Sequence, residues 1–97
     1  MNNNDRLLFP EAKEDVIENL RALQLTLNQA VDQGMVDNEA TYYNLISTLI
    51  DDAHIVDSWP ELDEIIFRGK ILEADVDTWL SLHGITTFGL EWPVRSS

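Results

Sequence analysis

At 97 residues with 44% hydrophobic content, the chain can build one modest core, so it is read as a single domain. Eighteen acidic residues against six basic ones give a formal net charge of −12, which repels nucleic-acid phosphates and anionic lipid alike and excludes direct nucleic-acid binding. Cysteine is absent, which rules out disulfides and thiolate metal ligands, and no apolar run approaches the roughly 18 residues of a membrane span.

The amino terminus, MNNNDRLLFPEA, lacks a basic segment followed by an apolar run. It is read as carrying no export signal, with the cytoplasm as the default location. Residues 1–8 are expected to form a flexible polar arm ahead of a helical domain over residues 9–97.

From Pro10 to Gln33, Val16, Leu20, Leu23, Leu27 and Ala30 recur at steps of four, three, four and three, one continuous helical seam. Pro10 suits a first turn, where its missing N–H costs nothing, and Gly34 suits a left-handed cap. A second helix is predicted from Asp37 or Asn38 to Val56. Tyr42, Ile46, Leu49, Ala53 and Val56 mark its buried face, with Tyr43, Leu45 and Ile50 beside it.

In SWPE, Ser58 and Glu61 stand at capping-box spacing, which predicts a short third helix from Trp59 to Phe67, stopped by Gly69. A fourth, EADVDTWLSLH, is expected to bury Val76, Trp79, Leu80 and Leu82 and to stop at Gly84. The remaining ITTFGLEWPVRSS is predicted to be a short extended tail packing Ile85, Phe88 and Trp92 across the bundle. The expected architecture is therefore all-α, a small four-helix bundle of two helical hairpins with that tail. The halves echo one another around FPEA and WPEL and around Gly34 and Gly69. Caps alone produce such echoes, and the likeness is read as shared capping.

Each proline follows an aromatic residue: Phe9, Trp59 and Trp92. A ring before proline is held extended and can cover the end of the bundle where a helix begins. No helix follows Trp92, which leaves that residue two roles: a lid on the core, the preferred one, or an anchor in a partner's groove.

Chemistry is sparse. Asp51, His54 and Asp57 share a helical face, but His83 has Leu80 at the matching position, so a two-helix metal site lacks its second half. Ser81 and His83 do not face each other on a helix, and no phosphate loop or nucleophile elbow occurs. The carboxylate pairs Glu14 with Glu18 and Glu61 with Glu64 read as first-turn electrostatics. No metal, no cofactor and no enzymatic activity are expected.

The acidic surface is the remaining feature. The sequence points to a small acidic protein-interaction module of adaptor, inhibitor or immunity type that binds a basic surface of a partner protein, with no membrane or direct nucleic-acid contact. Asp63, Glu64, Asp75, Asp77 and Trp92 are assigned to its partner-binding surface. The alternative is a nucleic-acid mimic, because helical spacings of three and four set carboxylates about 5 to 6 Å apart, comparable to strand phosphates.

Overall fold

The structure, a computed structural model, describes residues 8–32, 39–82, 84–86 and 89–93. Three helices form: α1 (Phe9–Asp32), α2 (Glu39–Ile55) and α3 (Trp59–Leu82), with no strand among the described residues. The architecture is all-α as predicted, with three helices in place of the expected four. The expected Gly34 cap, the Asp37 or Asn38 start of the second helix, the packing of Phe88 and the arm over residues 1–7 lie outside the described residues.

α1 and α3 begin in the same way, which explains the echo between FPEA and WPEL. Leu8 and Ser58 are the capping residues: their carbonyls accept the first helical hydrogen bonds, from Ala12 N–H at 2.9 Å and Leu62 N–H at 3.0 Å. The glutamate three positions on reaches back in both cases. Glu11 Oε1 accepts from Leu8 N–H at 3.1 Å, and Glu61 Oε1 accepts from the Ser58 hydroxyl at 2.9 Å and Asp57 N–H at 3.3 Å. The α3 cap differs from the ordinary capping box, because the serine hydroxyl donates to the carboxylate rather than accepting from the backbone. These bonds, from Ser58 and then Asp57, hold the Glu61 carboxyl below its usual range and keep it ionised.

Two aromatic pairs fix the helix directions. The Phe9 and Trp59 rings meet edge to face with centroids 5.7 Å apart, so α1 and α3 start at the same end of the bundle. Tyr42 near the start of α2 meets Trp79 near the end of α3 at 6.2 Å. Hence α2 runs antiparallel to both. Lys13 Nζ donates to the Val56 carbonyl at 2.9 Å and ties the start of α1 to the end of α2.

The predicted α1 seam is buried throughout: Val16, Leu20 and Leu27 are fully inaccessible, and Leu23 and Ala30 nearly so. Ile46, Leu49 and Ala53 meet it from α2, and Leu62, Val76 and Leu80 from α3. Among the described residues no buried side chain is polar or charged, so all the described charge lies outward or at the margins.

Gly69 accounts for the missing fourth helix. Read as a stop, it lies instead buried within α3, and the helix continues through it to Leu82. A β-carbon at this position would stand 2.7 Å from Trp92 Cη2 and 3.1 Å from Cζ3, so the glycine is a seat for the indole. The true stop is Gly84, at φ 81°, in a Schellman motif: Gly84 N–H donates to the Ser81 carbonyl at 3.0 Å and Ile85 N–H to that of Leu80 at 2.9 Å.

Beyond this cap the non-helical tail turns back between α1 and α3. Glu73 on α3 receives it with both oxygens, from Leu90 N–H at 2.8 Å and Trp92 Nε1–H at 2.9 Å, and Asn19 on α1 donates to the Glu91 carbonyl at 2.7 Å. Ile85, Leu90 and Trp92 pack on the core. The strap occupies the place that a fourth helix takes in a four-helix bundle. Leu82 is the second correction: expected to be buried, it is 80% exposed, because the chain turns away at Gly84 and no described residue covers that face of α3.

Replacing a fully buried seam residue, Leu20→Ala, is expected to cost about 2 to 5 kcal/mol in urea unfolding. The half-buried Trp92→Ala should cost less than a fully buried tryptophan, about 1 to 3 kcal/mol. A near-zero loss at Leu20 would contradict the core, and a near-zero loss at Trp92 would contradict the strap.

Candidate functional site

The residues that sequence reasoning assigned to a partner surface are not brought together. Glu64 and Asp75 are exposed on the flank of α3 that faces α2, about 16 Å apart along the axis by helical rise. Asp63 and Asp77 are half-buried on the opposite margin of the same helix and take part in interactions there. Trp92 lies on Gly69, on the α1 side. The acids therefore girdle α3 as two pairs, Glu64 with Asp75 on one flank and Asp63 with Asp77 on the other.

Three grooves run between the helices, and they are treated differently. The tail fills the one between α1 and α3, leaving a cavity of about 340 Å³ whose lining includes Leu23, Glu73 and Leu90, with both Glu73 oxygens engaged by the tail itself. A polar bridge crosses the one between α1 and α2, where Gln24 Nε2 donates to the Ser47 hydroxyl oxygen at 2.9 Å. The groove between α2 and α3 takes none of the described tail and is crossed by an exposed ion pair, Arg68 with Asp52.

Two stripes face each other across it. On α2, Leu45, Thr48, Asp52 and Ile55 step by three, four and three; on α3, Glu64, Arg68, Ile71 and Asp75 step by four, three and four. Arg68 Nη1 and Asp52 Oδ2 approach to 3.8 Å and mark the antiparallel register that the buried side chains of the two helices set. That register puts Ile55 beside Glu64, and Leu45 and Thr48 beside Ile71 and Asp75. The apolar members are open to solvent: Ile55 is 78% exposed, Ile71 50% and Leu45 49%, with Phe67 on the adjoining outer face of α3 at 62%. Leu45 had been placed next to the buried face of its helix. It lies at the edge of that face, where the apolar stripe wraps onto the groove.

At the end of the groove lies a depression of about 470 Å³, lined by Ile55, Val56, Pro60 and Ile65 together with Asp52, Glu61 and Glu64. Glu61 is committed to the α3 cap. The last turn of α2 also opens here, and its carbonyl ends add partial negative charge. The local field is negative, over a surface that is mostly hydrocarbon.

Other chemistry is thin. Asp51, His54 and Asp57 are all exposed, and no group of three or more His, Asp or Glu side chains among the described residues is arranged to hold a metal. No helix in that set is long and apolar enough to cross a membrane.

Residues retained for packing lose stability when truncated, whereas those on an open face do not. Ile55→Ser and Ile71→Ser are each expected to change unfolding free energy by no more than about 0.5 kcal/mol. A loss above about 1 kcal/mol at either, in the same urea titration, would show that the groove is packed shut. Compared with protein-family models, curated proteins and solved structures, the chain has no match.

Proposed function

We propose that the protein is a small acidic interaction module, of adaptor, inhibitor or immunity type, that binds a basic surface of a partner protein. The observation that carries this reading is the pairing of exposed aliphatic side chains with carboxylates along the α2–α3 groove, in a chain whose core is otherwise fully apolar and closed. Exposed aliphatic side chains that no described residue covers supply contact area on a small protein.

Charge and hydrocarbon divide the work. A net charge of −12 steers a cationic partner and raises the encounter rate, while desolvated aliphatic contact slows dissociation. Glu64 and Asp75 act at the surface itself; Asp63 and Asp77, further round α3, contribute to the field. Trp92 serves as a lid on the core, because its ring is seated on Gly69 and its N–H is bound to Glu73.

The test starts from a partner isolated on the immobilised protein at low salt. Its association rate is then measured across a salt series, against wild type and against the Glu64→Gln, Asp75→Asn double variant. Association should slow as salt rises, since exposed charges are screened beyond roughly 8 to 10 Å, and the double variant should associate more slowly without unfolding. Equal rates at high salt and with the neutral variant would contradict the proposal. Displacement of the module from its partner by duplex DNA would assign it instead to nucleic-acid mimicry.

A further inference from the structure

The proposal above leaves open what kind of basic surface is bound. We infer that the α2–α3 groove docks a short basic amphipathic helix of another protein, with aliphatic side chains against Ile55, Ile71 and Leu45 and an arginine or lysine over the Asp52–Glu64 depression. This rests on the interaction-module reading and specifies its partner.

The shape selects a helix. No strand occurs among the described residues, so no sheet edge is there for an extended peptide to join. Two antiparallel helices instead form a trough, and the core side of α2 and α3 already takes a third helix, α1, in the equivalent position. From Leu45 to Ile55 the stripe is about 15 Å long by helical rise, the length of an occupant of about ten residues.

Charge selects the sign. A second copy of this chain also carries −12 and is repelled from a rim of carboxylates, as are nucleic acid and anionic lipid. The depression matches one class of side chain in particular. Its lining combines hydrocarbon with carboxylate, which is the complement of a long aliphatic stem ending in a cation. Arg68 holds the Asp52 end only loosely, at 3.8 Å with both side chains well exposed, so an incoming guanidinium can replace it.

The experiment uses three synthetic helical peptides of 14 residues: one with leucines along one face and arginines beside them, one with each arginine replaced by neutral citrulline, and one with each leucine replaced by serine. Binding to the full chain is followed by fluorescence anisotropy and by backbone amide shifts. The first peptide should saturate, with shifts concentrated between residues 45 and 56 and between 60 and 75. The citrulline and serine peptides should each bind at least about tenfold more weakly. Ile55→Ser and Glu64→Gln should each weaken the first peptide by about tenfold, and Leu25→Ser on the outward face of α1 should leave it unchanged.

Absence of saturable binding would overturn the inference. So would shifts spread over the acids of α1 with Ile55→Ser inert, or serine peptide bound as tightly as leucine peptide; both describe attraction by charge alone and leave the salt-dependent module intact. Concentration-dependent shifts at the groove in the free protein, with a dimer in sedimentation, would give the groove to a second copy and overturn it as well.

Discussion

The Trp92 indole lying on Gly69 is the contact on which the rest of the arrangement depends. Three helices of this length leave one side of the core uncovered between α1 and α3. The tail covers it with a few side chains, and an extended segment can do so only if the helix beneath allows close approach. Gly69 provides that approach, Glu73 one turn later fixes the indole N–H and the Leu90 N–H, and Asn19 fixes the strap from the other helix. A glycine inside a helix costs about 1 kcal/mol relative to alanine, and here the burial of a tryptophan face offsets it.

Closure of that side determines which face of the bundle stays open. The strap fills one groove, the Gln24–Ser47 bridge crosses a second, and the third, crossed by the exposed Arg68–Asp52 pair, keeps Leu45, Ile55 and Ile71 in solvent among carboxylates. A chain with this much charge and so small a core gains little from leaving Ile55, Phe67 and Ile71 exposed for its own folding. Under the proposed function, their positions along the α2–α3 flank supply contact area for another molecule, which the carboxylates would bring close and the aliphatic side chains would retain.

The α1 seam was legible because Val16, Leu20, Leu23, Leu27 and Ala30 follow the helical repeat, and local chemistry alone placed both glutamate caps. Gly69 was misread because a glycine after an apolar segment is an ordinary helix stop, and the reason for this one, an indole arriving from later in the chain, is tertiary. Leu82 and Leu45 went astray for a related reason: the sequence shows that a helix face is apolar without showing whether anything covers it. The acids failed as a cluster because Asp63, Glu64, Asp75 and Asp77 are near one another in sequence, yet the 100° advance per residue distributes them around α3. The groove combines residues of two helices, and its register follows from how the buried faces of α2 and α3 pack, which no spacing within either helix reveals.

The most direct measurement is a double-mutant cycle on the strap, reading unfolding free energy for Gly69→Ala with and without Trp92→Ala. With the indole in place the new methyl group stands 2.7 Å from Trp92 Cη2, closer than a β-carbon is tolerated, and withdrawing the ring stretches its 2.9 Å bond to Glu73. The account therefore predicts that Gly69→Ala lowers stability by at least about 1 kcal/mol in the wild-type background and raises it by about 0.5 to 1 kcal/mol once Trp92 is alanine, as in any helix interior. Stabilisation by Gly69→Ala in both backgrounds would mean that the indole does not rest on α3, and would contradict the strap and the assignment of the open groove that follows from it.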